Sequence, residues 1–217
     1  LNWDNLDFYY NAGLNVAPYG YRISSTNYTY VSDANEQTQR FAIGSNYLTI
    51  ANSSAAMINP AAGTSAENAT HTGELAGYTG EDVEYTSVGG QTITITFNNP
   101  VRNATFTLYD IDLGGIMTVN AADAASGALT VTAATQGVTI LTVLGAPGKV
   151  ISDLTNLGLG TALGNADNRG SVTITVAGTA LNPVKTITIS CTATGTDPVF
   201  WLSDISACVT GSFPNNY

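Results

Sequence analysis

Gln91-Thr92-Ile93-Thr94-Ile95-Thr96-Phe97 is the clearest strand in the sequence. Apolar and hydroxylated residues alternate with period two, so Ile93, Ile95 and Phe97 share one face and the threonines share the other. Threonine is β-branched and polar, which suits the wet face of a half-exposed sheet. Antiparallel sheets with one solvated face alternate in this way. The stretch therefore predicts an antiparallel strand with one face in the core.

The same alternation recurs along the chain and predicts a β-sandwich. Turn residues such as Asn98-Asn99-Pro100 and Gly195-Thr196-Asp197-Pro198 separate short strands, which is typical of a sandwich or jelly roll. Helix signals are scarce, and at most one or two short helical turns are expected, at Ala55–Asn59 and Ser152–Leu159. We predict an all-β, antiparallel, jelly-roll-like sandwich in which residues 1–217 form a single domain. The further predicted strands are Thr105–Tyr109, Leu129–Ala133, Val138–Leu144, Val172–Val176 and Thr186–Cys191.

Two segments repeat a strand, a proline corner and a second strand. The corners are Asn99-Pro100-Val101-Arg102 and Asn182-Pro183-Val184-Lys185, and the apolar residues that follow each proline keep the same parity. Because proline cannot donate to a ladder, each corner is expected at the start of a strand or at a sheet edge. Duplication and convergence on a common strand-turn-strand solution account for the repeat equally well.

Charged residues are few, and acidic ones dominate. Only 10% of residues are charged, and six Lys and Arg against 16 Asp and Glu give a formal net charge of −10. Such a chain lacks the cations that release counterions from a phosphate backbone, which excludes nucleic acid as a partner. No apolar run approaches the roughly 18 residues of a membrane span. We expect a secreted protein, extracellular or at the cell surface, because the surface is neutral and rich in hydroxyl groups and the first residue is not Met. An artificial chain boundary is the alternative explanation of the first residue.

Residues for catalysis are sparse, and we predict that the protein is not an enzyme. His71 is the single histidine and would have to serve any Ser-His-Asp triad, yet no nucleophile elbow surrounds a serine. The sequence has no Cys-x-x-Cys pair and no glycine-rich phosphate loop before a helix. The remaining catalytic alternative is a retaining glycosidase pair formed by Asp110 and Asp112, whose carboxyl groups would lie about 5–5.5 Å apart.

Tyr109-Asp110-Ile111-Asp112-Leu113-Gly114-Gly115 is the best candidate site. The inward parity of Leu108 would point Asp110 and Asp112 inward unless the strand ends or bulges there. Buried carboxylates need hydrogen-bond donors, an arginine or a hard cation. We expect either a structural Ca²⁺ held by Asp110, Asp112 and Asp204, or capping of these carboxylates by backbone N–H groups in turns. No other cofactor is required.

The two cysteines, Cys191 and Cys208, fit an oxidising compartment if they form a disulfide. A simple hairpin about Gly195–Pro198 would leave them out of register, so the bond requires Val199–Ser203 to bulge outward as a loop. The alternative is that both are small buried core residues.

Three motifs extend this interpretation: Ile95–Val101, Phe106–Asp112 and Phe200–Ser206. Together they resemble lectin-like jelly-roll domains of bacterial extracellular surface proteins and adhesins, over about residues 85–210. In that group a strand, a Pro-Val corner and a strand ending in Asp-Ile-Asp are followed by a late aromatic strand ending in Asp-Ile-Ser. The resemblance implies a cell-surface location and a role in adhesion or assembly.

Seven of the eleven tyrosines lie at or before Tyr47. Two pairs stand out because their members are two residues apart, so that each pair would point to one side of an extended chain. The first pair is Tyr19 and Tyr21, and the second pair is Tyr28 and Tyr30. They could serve as an interface, as a platform for glycans or as ordinary sheet packing.

Residues 1–35 are expected to extend and pair with their own sheet or with a neighbour's, which would join copies head to tail. We therefore predict a secreted subunit of an extracellular filament or surface layer. The alternative is a carbohydrate-binding or adhesin module of a bacterial cell surface, with Ca²⁺ in its acidic loops.

Overall fold

A computed structural model describes residues 38–43, 46–53, 83–86, 90–111, 115–136, 139, 141–152, 168–193 and 199–209. These residues contain no helix long and apolar enough to cross a membrane. They form one single-turn 3₁₀ helix, Asn168–Gly170, and twelve strands: β1 (Thr38–Ile43), β2 (Asn46–Asn52), β3 (Val83–Thr86), β4 (Gln91–Tyr109), β5 (Ile116–Asp123), β6 (Val131–Thr135), β7 (Thr142–Leu144), β8 (Lys149–Ser152), β9 (Val172–Ala177), β10 (Val184–Ala193), β11 (Val199–Leu202) and β12 (Ser206–Val209).

Strand β4 belongs to both layers of an antiparallel sandwich. Its first half pairs with β2 and β10, in a first sheet of order β1-β2-β4-β10-β5-β8-β7. Its second half pairs with β9 on one side and with β12 and β11 on the other, while β6 adds to β9 and β3 adds to β11. Apolar residues from both halves of β4 meet in one core. The predicted all-β antiparallel sandwich is therefore confirmed.

The alternation of β4 determines which side chains are buried. Ile93, Ile95 and Phe97 have 0% exposure, whereas the threonines between them are half-buried on the other face. Burying each of these apolar side chains contributes about 1.5–3 kcal/mol. In the second half the buried positions change from odd to even numbers past the exposed Arg102 and Asn103, and Phe106 and Leu108 point into the same core. The predicted inward and outward faces of this strand are confirmed.

The two Asn-Pro-Val-cation corners lie side by side. Val101 pairs with Val184, and beyond that pair β10 continues along the first half of β4 while β9 runs along its second half. The register shifts between Val184 and Thr186, as expected of a bulge where both chains bend. The first strand of each repeat therefore pairs with the second strand of the other. Pro183 immediately precedes β10, as predicted for a strand start.

Pro100 departs from the prediction, because Gln91–Phe97 and Thr105–Tyr109 are not separate strands. One 19-residue strand passes through Asn98, Asn99 and Pro100 without interruption. Asn98 and Asn99 are exposed where the strand crosses from one layer to the other. The missing proline donor is tolerated because β4 changes partners at this point.

Lys185 joins the two corners. Its ammonium group donates hydrogen bonds to the Phe97 carbonyl at 2.7 Å and to the Asn98 carbonyl at 2.8 Å. The Lys185 cation thus satisfies two carbonyls at the bend of β4. The sequence pattern marked this position as the cation of its corner, and the structure shows the bonds that the cation makes.

Candidate functional site

The predicted acidic site begins where β4 ends. Asp110 follows the last residue of the strand and has a φ of 59°, a left-handed conformation that aspartate tolerates better than most residues. This conformation breaks the alternation, so Ile111 enters the main core, where Asp110 had been expected. The Ile111 N–H donates to the Gly170 carbonyl at 3.1 Å. Asp110 is nevertheless only 3% exposed.

The register places Asp110 and Asp204 apart along β4. Tyr109 pairs with Trp201, and the Ser203 N–H donates to the Thr107 carbonyl at 2.9 Å. Ser203 therefore lies beside Thr107, and Asp204 comes one residue later, about four residues or roughly 13 Å along the strand from Asp110. Asp112 lies outside the described residues. Among the residues that the structure describes, no three His, Cys, Asp or Glu side chains are grouped to hold a metal ion.

The third motif of the sequence, Phe200–Ser206, has a structural role at the break between β11 and β12. Thr107 donates its N–H to the Ser203 hydroxyl at 2.7 Å, and that hydroxyl donates to the Asp204 carbonyl at 3.0 Å. Ser203 is 6% exposed and Thr107 is 7% exposed, so this bond satisfies a buried backbone donor. Ser203 thus bridges the ladder where β4 exchanges one partner strand for the next.

The aromatic side chains whose burial the structure describes lie in the interior or at its margin. Tyr109 and Trp201 form a separate buried cluster, and Tyr85 stacks on Phe200 with ring centroids 5.5 Å apart. Tyr47 is half-buried. These rings contribute to packing and not to an exposed aromatic platform.

The tyrosine pairs predicted to form an interface or a glycan platform lie outside the described residues. They are Tyr19 with Tyr21, and Tyr28 with Tyr30. The expected pairing segment 1–35, which contains them, lies outside the described residues as well, and so does His71. The predictions that rest on these residues therefore stay predictions.

The expected disulfide between Cys191 and Cys208 is not formed. Cys191 pairs with Gln91 at the start of β4, whereas Cys208 pairs with Asn103, twelve residues farther along the same strand. That separation is about 40 Å along an extended strand, far beyond the roughly 7 Å limit between the Cα atoms of a disulfide. The two strands lie against opposite halves of β4 and do not form a simple hairpin. Cys191 is buried, as the alternative predicted, and Cys208 is exposed.

Hydroxyl and amide side chains form a regular array on the outer side of the first sheet. The strand registers place them in three rows, about 4.8 Å apart between strands and about 6.7 Å apart between rows. All are half-buried except Asn120, which is exposed. We define this array as the hydroxyl face, and its rows are Thr49-Thr96-Thr186, Thr94-Thr188-Asn120 and Thr92-Ser190-Thr118.

An apolar pair borders the hydroxyl face. Thr118 pairs with Val150 on β8, and Val150 pairs with Leu144 on β7. Leu144 is 64% exposed and Val150 is 37% exposed; the remaining exposed large apolar side chain of the described chain, Leu181, lies on the β9–β10 corner. Lys149, the nearest cation on β8, donates to the Gly145 carbonyl at 2.7 Å.

The sequence pattern predicted the outward threonines but not the hydroxyl face. The face depends on the pairing of β2, β4, β10 and β5, which are up to about 140 residues apart in the chain. Alternation within one strand indicates which residues share its face, but it does not identify the neighbouring strands.

Comparisons with known proteins identify no family for this chain. No protein-family model matches it, and no curated protein matches it. Among solved structures, a match is the crystal structure of a glycoside hydrolase family 43 arabinoxylan arabinofuranohydrolase from Bacillus subtilis in complex with cellotetraose, with 10% identity and a TM-score of 0.34. The match covers 79% of this chain and 41% of that chain. A similarity at this level supports no conclusion about fold or function.

Proposed function

We propose that the protein is a secreted structural subunit that self-assembles into an extracellular filament or surface layer. The hydroxyl face is the observation that carries this proposal, because nine uncharged side chains cover four adjacent strands of a chain with a net charge of −10. Copies that meet through such a face do not oppose like charges, and hydroxyl groups supply both donors and acceptors across the contact.

The proposed setting is extracellular, and composition supports it. Only 10% of residues are charged, whereas cytosolic proteins usually remain soluble through mixed charges. The same composition supports a role in contact rather than catalysis.

The alternative proposal is a carbohydrate-binding adhesin module, supported by the resemblance of Phe106–Asp112 and Phe200–Ser206 to lectin-like jelly-roll domains. The aromatic side chains whose burial is described are buried or half-buried, and hydroxyl and amide groups make up most of the outer side of strands β4, β10 and β5. Stacking on sugar rings would use aromatic faces, so the described surface favours assembly.

Light scattering coupled to size-exclusion chromatography, followed by electron microscopy, tests the assembly proposal. For the whole chain, we expect the average molar mass of the particles to increase with protein concentration, and we expect electron microscopy to show regular polymers. A monomer at every concentration would contradict self-assembly. Binding to a glycan array that EDTA abolishes would instead support the Ca²⁺-dependent adhesin.

A further inference from the structure

We infer that the hydroxyl face and its apolar border, Leu144 and Val150, form the contact between copies of this protein. The inference rests on the proposed self-assembly and identifies its surface. The occupant of the face is a second copy of the chain, whose own hydroxyl face packs against the first.

Charge is the first argument for a second copy. Two chains of net charge −10 repel each other, and the cost is lowest where neither chain presents an acidic group. A two-fold contact brings the same patch of both chains together, so any charge on the patch would meet itself. All nine residues of the hydroxyl face are uncharged, and Leu144 and Val150 are apolar. Arg40 on β1 pairs with Thr49 at one edge of the face, and it is a cation and not an acidic group. The eleven residues of the patch itself therefore present no charge to a copy of themselves.

The apolar border is the second argument. Leu144 and Val150 are cross-strand partners, and Val150 adjoins the hydroxyl face through Thr118. Exposed apolar side chains are common singly, but an adjacent exposed pair beside a flat polar face resembles the mixed composition of protein interfaces. Burying this pair against a partner provides a hydrophobic contribution that a row of hydroxyl groups lacks.

The available area fits a weak, transient contact. The nine residues of the hydroxyl face and the two of its border, at about 4.8 Å between strands and about 6.7 Å between rows, cover roughly 350 Å² per copy. Two copies would bury roughly 700 Å², less than the approximately 1,000 Å² of a stable interface and in the range of weak, transient contacts. A single contact of this size predicts association that depends strongly on concentration.

The experiment compares Thr188→Lys, at the centre of the hydroxyl face, with Thr175→Lys on the outer side of the second sheet. Both positions are half-buried strand threonines, and both substitutions reduce the net negative charge equally. Sedimentation velocity of the whole chain should show association at least about tenfold weaker for Thr188→Lys, because each partner then buries an unpaired ammonium group. Thr175→Lys should associate as the wild type does, or slightly more tightly, because overall repulsion falls.

A second pair of variants changes exposed side chains, so the effect on folding is small. Leu144→Ser removes an exposed side chain of the border, and Leu181→Ser removes a side chain that is 91% exposed on the corner between β9 and β10. We expect weaker association for Leu144→Ser alone. Wild-type association in both Thr188→Lys and Leu144→Ser would overturn the inference and leave self-assembly standing. A wild-type chain that stays monomeric would overturn both proposals.

Discussion

Replacing Lys185 with Met should destabilise the fold through the corner that joins the two sheets. The Lys185 ammonium makes two bonds, 2.7 Å to the part-buried Phe97 carbonyl and 2.8 Å to the exposed Asn98 carbonyl. A hydrogen bond to a charged group contributes about 1.5–3 kcal/mol, and water replaces much of the exposed one. Methionine keeps most of the aliphatic stem. We therefore expect the free energy of unfolding to fall by about 2 kcal/mol.

Thermal and denaturant unfolding measure this loss directly. For a chain of this size about 2 kcal/mol corresponds to a fall in Tm of roughly 4–8 °C. Lys149→Met is the matched control, because Lys149 also donates to a backbone carbonyl, at 2.7 Å to Gly145, but only within its own exposed hairpin. That variant should lose less than about 1 kcal/mol. Equal losses in the two variants would refute a special role for Lys185 at the corner.

Three further predictions concern the junction on β4, the cysteines and the charge of the chain. Ser203→Ala should lower the free energy of unfolding in urea by about 1–3 kcal/mol, because the buried Thr107 N–H loses its acceptor. The control Ser206→Ala, at the exposed start of β12, should lower it by less than about 0.5 kcal/mol. Alkylation without reductant, followed by mass spectrometry, should modify only Cys208 in the folded protein and both cysteines in denaturant. If neither cysteine were modified in denaturant, the two would form a disulfide. Added salt should strengthen self-association, because it screens the repulsion between acidic chains and the inferred contact contains no ion pair that salt would weaken. Weaker association at high salt would indicate a charged interface.

Local sequence pattern was sufficient for the fold class and for the inward residues of β4. The alternation of Ile93, Ile95 and Phe97 with threonine determines two faces, and burial follows it. The proline corner was harder to interpret, because Asn98-Asn99-Pro100 has the composition of a turn. In the structure, the partners of β4 change at this corner, so the strand continues. No local pattern reports a change of partner strands.

The candidate site shows a similar limit of local pattern. The alternation of β4 predicted that Asp110 points into the core. In the structure, the left-handed φ of Asp110 breaks the alternation, so that Ile111 lies in the core and Asp110 is buried elsewhere. The cysteine pairing depended on which half of β4 each cysteine would lie against, and the strands that decide this are distant in sequence. Side-chain chemistry suggested the candidates, while non-local register determined which of them meet.

The fold separates the residues that hold it together from those proposed to act. Stability depends on the core face of β4 and on the Lys185 corner, where one strand links both sheets. The hydroxyl face lies on the opposite side of the same strands, where its threonines are half-buried and contribute strand propensity. Thr188→Lys should therefore change association with little change in Tm, and Lys185→Met should lower Tm without weakening association of the folded chain. If one variant altered both properties by comparable amounts, contact and stability would share residues, and the assignment of assembly to the hydroxyl face would fail.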